Sequence, residues 1–262
     1  MLRVVIPVVA SIALGMSGCR AAPGLAAAPR PTPPMIDGFV ARDFRGNAVT
    51  TPYRLFVPPG YDTATAYPLI VWLHGGGGAG DDNIKQVSGD QVPGTHSWTT
   101  PAAQAAHPAF VVAPQARGVW SITGHTTGQS PSLLAVLGIV RSIQDEYHID
   151  RRRIYVAGQS LGGGGTWTLI TSEPNPFAAA IVLCGVSPDT MRAAAAVSTP
   201  VWVFQGAQDT ESIVQEARAM VAAVRRAGGH PKYTEYPGLD HNIWDRVFQE
   251  PGLVDWLFGQ HK

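Results

Sequence analysis

The sequence is poor in charge, poor in cysteine and poor in long apolar runs. Of 262 residues only 15% are charged, and 19 Lys+Arg balance 19 Asp+Glu, so the formal net charge is zero. No basic stripe remains to track a phosphate backbone, which argues against nucleic acid as a partner. The one cationic run, Arg151–Arg153, reads as a solvated turn before a strand. Two cysteines, Cys19 and Cys184, are too few for a disulfide framework. The eight histidines are scattered, with no pair at ligand spacing on one helix and no Cys pair, so no metal site is expected. The longest N-terminal apolar run, Val4–Leu14, is too short to span a bilayer.

What is present begins with "MLRVVIPVVASIALGMSGC". Arg3, a short apolar core and then Ser17 and Gly18 have the order of an export signal over residues 1–18. Cys19 follows, in a pattern that resembles the bacterial lipobox, with Met16 where Leu is usual. The expectation is an exported protein of the periplasm or cell envelope. It would be lipid-anchored at Cys19, or secreted if cleavage is ordinary. Residues 19–34 are rich in Ala and Pro and predict an extended tether. The folded domain is expected over 35–262, and Cys184 within it as a buried free thiol.

Beyond the tether, strand-like runs alternate with helical patterns. Candidate strands are Tyr53–Val57, Leu69–Leu73, Phe110–Ala113, Ile154–Ala157, Ala180–Cys184, Val201–Phe204 and Tyr233–Tyr236. Several are continuous Val/Ile/Leu runs, as in strands covered on both faces. Ser130 and Pro131 read as N-cap and first residue of a helix with a stripe of Leu133, Leu137, Val140, Ile143 and Tyr147. A second helix carries Ile213, Ala217, Met220, Val221 and Val224 and ends at Gly228–Gly229. The alternation predicts one α/β domain, a mostly parallel central sheet with helices on both faces.

Chemistry gathers where such strands end. Gly158-Gln159-Ser160-Leu161-Gly162 is G-x-S-x-G between a strand and a helix. On that elbow Ser160 would project above the sheet, with the Leu161 N–H at a helix start facing a developing oxyanion. "PLIVWLHGGGGAGDDN" contains a G-x-G-x-x-G spacing, but no helix pattern starts at Ala79 and no acidic residue follows at ribose-binding distance. Its His-Gly-Gly-Gly better suits a loop that supplies a second oxyanion N–H, from Gly76 or, less well, Gly75. His74 is then structural. A serine needs a base and the base needs a carboxylate. Asp209 and His241 lie just past two later strands, in the order Ser160, Asp209, His241. Glu211 and Asp189 are rival acids, and Asp209 could instead cap the helix that follows.

These stretches, with "VVAPQARGVW", "DRRRIYVAGQSLGGGGTW", "PVWVFQGAQD" and "YPGLDHNIWD", resemble the α/β-hydrolase superfamily. The likeness is to its phospholipase/carboxylesterase, predicted-peptidase and polyhydroxybutyrate depolymerase-like esterases, and it covers the chain from about Tyr53. The resemblance implies the α/β-hydrolase fold, a cofactor-free serine esterase, the triad Ser160, Asp209 and His241, and an oxyanion hole from Leu161 and the glycine loop. Gln159 stands where the family often has an aromatic and Leu161 where it often has Met; both positions imply contacts in the acyl pocket. Trp98, Trp120, Trp167 and Trp244 could stack on a sugar or aromatic acyl group, though packing is the plainer reading, above all for Trp167 two helical turns past Ser160. Trp120, in a polar loop, is the best of them for a cleft wall. The short segment from Gly185 to Thr199 leaves no room for a large lid, so an open cleft for small, bulky or polymer-linked esters is expected. Two other functions fit the same residues: a serine peptidase of this fold, and a lipoprotein that binds a ligand on an idle hydrolase scaffold.

Overall fold

The computed structural model describes residues 34–46, 50–120, 130–186 and 189–262. The export signal, Cys19 and the tether up to residue 33 lie outside them.

Eight strands form one sheet: β1 (Phe39–Arg45), β2 (Thr50–Phe56), β3 (Tyr67–Leu73), β4 (Phe110–Pro114), β5 (Ile149–Gln159), β6 (Ala179–Leu183), β7 (Val201–Gly206) and β8 (Lys232–Tyr236). Their order is β1-β2-β4-β3-β5-β6-β7-β8. β2 runs antiparallel to both β1 and β4, while every pairing from β4 through β8 is parallel. All seven expected strands are present, each within a few residues of its expected bounds. β1 has no counterpart in the sequence reading. Its sequence, FVARDFR, mixes charge with apolar residues because it is a half-exposed edge.

Successive residues of a strand face opposite sides, and both sides are covered. Leu69, Val71 and Leu73 of β3 pack on one side with Leu133, Leu137 and Val140 of α3 (Pro131–Glu146), Trp167 of α4 (Leu161–Ile170) and Met220 and Val224 of α5 (Glu211–Arg226). Ile70 and Trp72 face the other side, with Trp98, Val247 and Leu257. That layer holds α1 (Val92–His96), α2 (Pro101–Ala106), α6 (Trp244–Val247) and α7 (Leu253–Phe258). Each fully buried Leu, Val or Ile contributes on the order of 1.5–3 kcal/mol.

The helix ends follow the sequence signals. Ser130 caps α3, its Oγ accepting from Leu133 N at 3.2 Å, with Pro131 as first helical residue. Tyr147 falls just beyond α3 and caps it, its N–H donating to the Ile143 carbonyl at 2.8 Å. α5 ends with Gly228 at φ +95. The Arg54 side chain is fully buried and donates to the carbonyls of Pro34, Phe39 and Asn83, pinning the start of the described chain to the sheet.

Candidate active site

β5 delivers Ser160 to the middle of the sheet's carboxyl edge. Ser160 sits at φ +55 and ψ −115, a conformation that a non-glycine residue adopts only when its surroundings hold it there. Three main-chain bonds do so: Ser160 N–H donates to the Leu183 carbonyl at 2.8 Å, and the Ser160 carbonyl accepts from Gly164 N–H at 3.1 Å and Val186 N–H at 3.3 Å. α4 then starts at Leu161 and presses so close to β3 that a Cβ on Gly162 would lie 2.0 Å from the Leu73 carbonyl oxygen. Only glycine fits that approach.

β7 and β8 bring in the other two residues. Gly206, the last residue of β7, allows the β8 loop to cross it, since a Cβ there would lie 1.8 Å from the Asp240 carbonyl oxygen. Ala207 N–H donates to Tyr236 O at 3.0 Å and Gln208 N–H to Leu239 O at 2.9 Å, so the two loops are stitched together. The result is a continuous chain of hydrogen bonds. His241 Nε2 lies 2.9 Å from Ser160 Oγ, and His241 Nδ1 lies 2.6 Å from Asp209 Oδ2. The Asp209 side chain is 2% exposed and that of His241 32%, so the carboxylate is shielded and the imidazole reaches the surface. The sequence-identified Ser, Asp and His are therefore brought together.

The rival acids are elsewhere. Asp189 caps the 3-10 stretch Thr190–Ala196, accepting from Met191 N at 3.0 Å, and Glu211 opens α5. Asp240 accepts from Asn242 N at 2.9 Å. Nor is Asp209 the α5 cap, a position held by Thr210, whose N–H donates to Asp209 Oδ1 at 2.6 Å.

One supporting residue escaped the sequence reading. Gln205, fully buried at the end of β7, donates Nε2–H to Asp209 Oδ2 at 2.9 Å. It holds the carboxylate that orients His241. Trp244 adds a second support, its ring edge-on to the imidazole at 5.4 Å. Neither contact has a local sequence signal beyond a polar side chain inside an apolar strand in the case of Gln205.

The glycine loop after β3 lies beside this chain. Gly75 N–H is bonded to Gln91 Oε1 at 2.9 Å, which leaves Gly76 as the next donor along the loop. Gly76 is against Leu161: a Cβ there would be 3.8 Å from Leu161 Cδ1. His74 is buried beneath the loop. Its Nδ1 faces the Gly75 carbonyl at 2.7 Å and its Nε2 accepts from Ala116 N at 3.0 Å. These partners admit one neutral tautomer, with the proton on Nδ1. Burial pushes its pKa down to about 4, so it stays neutral and structural.

The substrate-wall expectations need correction. Trp120 is fully buried, donating Nε1–H to the His74 carbonyl at 2.8 Å and packing on the His74 ring. It braces the base of the glycine loop and offers no face to a cleft. Trp98, Trp167 and Trp244 are buried too, in line with the packing reading. Gln159 is 1% exposed, and its Nε2 is directed to Asp90, 3.2 Å from the carbonyl and 3.4 Å from Oδ2. It supports the loop from below rather than lining an acyl pocket.

Among the described residues, one group could offer three ligand atoms to a metal: Cys184, Asp209 and His241, within 4.8 Å of one another. An ion there would have to break the His241–Asp209 bond and strip a proton from a thiol whose pKa burial raises far above the usual range. The free, buried Cys184 thiol is as the sequence suggested.

No family model matches the chain. It is 31% identical over 134 residues to a probable feruloyl esterase C of Aspergillus terreus, covering 51% of this chain and 46% of that protein. It is 28% identical over 224 residues to a feruloyl esterase B of Thermothelomyces thermophilus, covering 82% of this chain and 72% of the other. Among solved structures, a thermostable esterase superimposes with a TM-score of 0.81 at 37% identity, over 87% of this chain and 64% of its own. The chain thus spans about half the length of the first of these relatives.

Proposed function

We propose that this chain, which has the α/β-hydrolase fold and resembles serine esterases in sequence and structure, hydrolyses carboxylic esters through an acyl-enzyme on Ser160. The observation that carries the reading is the unbroken hydrogen-bond chain from Ser160 Oγ through His241 to the shielded Asp209.

In this reading, Ser160 Oγ attacks the ester carbonyl while His241 Nε2 takes its proton. Asp209, fixed by Gln205, holds the imidazole with its other proton on Nδ1 and stabilises the imidazolium. The carbonyl oxygen becomes an oxyanion near the N–H groups of Leu161 and Gly76. Leu161 opens α4, so its N–H carries the positive end of the helix dipole. One such donor typically lowers the barrier by about 3–4 kcal/mol. The imidazolium then protonates the departing alcohol, and water repeats the sequence to release the acid.

Between β6 and β7 the described residues hold only the short 3-10 stretch Thr190–Ala196, which supports an open cleft suited to bulky or polymer-linked esters as well as small ones. The relatives named feruloyl esterases support testing aromatic acyl groups first. Export with lipid attachment at Cys19 completes the proposal; a Cys19→Ser chain should then leave the membrane fraction. The decisive experiment uses a fluorophosphonate probe and a panel of matched esters and amides. Wild type should label and turn over esters. Ser160→Ala, folded by circular dichroism, should do neither, with turnover down by at least about 10³-fold. Labelling retained in that variant overturns the proposal.

A further inference from the structure

The carboxylate of Asp90 stands out among the acidic groups around the glycine loop. Asp81 faces Arg117 at 3.6 Å and Asp82 faces Lys85 at 3.6 Å. Asp90 has no cationic side chain at ion-pair distance among the described residues, and it is exposed. Yet it is held in place from below. Gln91, fully buried, donates Nε2–H to Asp90 Oδ1 at 2.7 Å while its Oε1 accepts the Gly75 N–H. Gln159, also buried, directs Nε2 at the Asp90 carbonyl and at Oδ2. The amide orientations are not arbitrary. Turning Gln159 over would set its oxygen against two oxygens of Asp90, and turning Gln91 would set an NH₂ against the Gly75 N–H.

This carboxylate touches both halves of the reaction machinery. Through Gln159 it meets the residue before the nucleophile. Directly, its Oδ1 lies 2.8 Å from the point where a Cβ would stand on Gly77, one residue past the Gly76 donor. A fixed negative charge beside a loop meant to receive an oxyanion opposes the chemistry on electrostatic grounds. A neutral side chain could brace the loop without that cost. The arrangement makes sense if the charge does something for the substrate, since two lone-pair directions satisfied by amides leave others open at the surface.

We propose that Asp90 is a specificity residue of the esterase site: its carboxylate accepts a hydrogen bond from a hydroxyl or ammonium group on the substrate and disfavours substrates that carry a carboxylate. This rests on the ester-hydrolase reading above. The acid is preorganised by Gln91 and Gln159, so little side-chain ordering accompanies binding. A charge-assisted bond of this kind discriminates more sharply than an apolar wall, and its ammonium form weakens with salt.

The test compares p-nitrophenyl hexanoate, 6-hydroxyhexanoate, 6-aminohexanoate and the adipate monoester on the full protein. Propyl butyrate and glycerol 1-butyrate form a second pair with the donor on the alcohol. The readout is the ratio of kcat/KM for each substituted ester to its unsubstituted partner. For wild type, at least one hydroxyl or ammonium ratio should exceed that of the carboxylate ester by tenfold or more, with the effect mainly in KM. Asp90→Asn should flatten that difference by about tenfold, and Asp90→Lys should favour the adipate monoester. The hydroxyl and ammonium arms distinguish the two donors, the latter by its loss at 0.5 M salt. A brace with no substrate contact would lower every kcat/KM alike and leave the ratios unchanged in both variants, which overturns the proposal. If wild type hydrolyses none of the esters, the ester-hydrolase reading itself has failed.

Discussion

Replacing Gly162 by alanine separates stability from catalysis in this fold. The added methyl would sit 2.0 Å from Leu73 O, 2.5 Å from Leu73 C and 2.7 Å from His74 O, all main-chain atoms of β3 and the residue after it. Restoring even a tight contact of 3.0 Å requires α4 and β3 to part by about 1 Å. In stability, overpacking costs about 1–3 kcal/mol, offset by about 1 kcal/mol because alanine is the better helix former. The net loss should be no more than about 2 kcal/mol. Catalysis is less forgiving. The N-terminus of α4 carries Ser160 and the Leu161 N–H, and a displacement near 1 Å lowers a rate on the order of 10²-fold. Gly162→Ala should therefore be folded, modestly less stable in urea, and about 100-fold slower on an activated ester. Gly238→Ala, with no atom within 4 Å of the new methyl, is the matched control and should behave as wild type. A folded Gly162→Ala protein with more than half the wild-type kcat would refute the elbow as the reason for this glycine.

Two further perturbations probe groups beneath the site. Gln205→Leu removes one donor from Asp209 and leaves its bonds to His241 and the Thr210 N–H; kcat should fall about tenfold with KM nearly constant, matching the loss of about 1.4 kcal/mol from a hydrogen bond to a charged group. An unchanged kcat in steady-state assays would show that the β7–β8 loops hold the acid unaided. His74 makes stability depend on acid. Its folded pKa, about 4, lies below the unfolded value of 6.5, so the unfolded chain takes up the proton first as pH falls. Stability is complete above 6.5 and is lost between 6.5 and about 4, by about 2 kcal/mol at pH 5. Urea midpoints at pH 7 and pH 5 should show this drop in wild type and a smaller one in His74→Asn; parallel drops would place the acid sensitivity elsewhere.

The grouping of Ser160, Asp209 and His241 was readable in the sequence because each lies within a few residues past a strand end, and parallel strands gather their carboxyl ends. Their order and the glycines around Ser160 then did the rest. Side-chain environment was less readable. Trp120 lies in a polar stretch, and nothing local signals that its indole turns inward to the His74 carbonyl. Gln159 was placed in the acyl pocket by family position, whereas a contact 69 residues away in sequence turns it under the loop. Gln205 was missed although its partner Asp209 is only four residues on, because a buried glutamine in an apolar strand does not announce which group it holds. β1 was missed because an edge strand needs no continuous apolar run.

The strand order carries a consequence for how activity fails. Ser160 directly follows β5, with three strands (β6, β7 and β8) to one side and four to the other. His241 hangs from β8, the last strand, paired on one side only. Sheets fray from their margins, and a local opening that frees β8 requires far less than global unfolding. Ser160, the proposed nucleophile, is therefore near the middle of the sheet, and His241, its proposed base, hangs from one of the two margins. On warming, the proposed hydrolysis should be extinguished reversibly while the sheet still gives its native circular dichroism, because a marginal segment carries the residue proposed to take the proton.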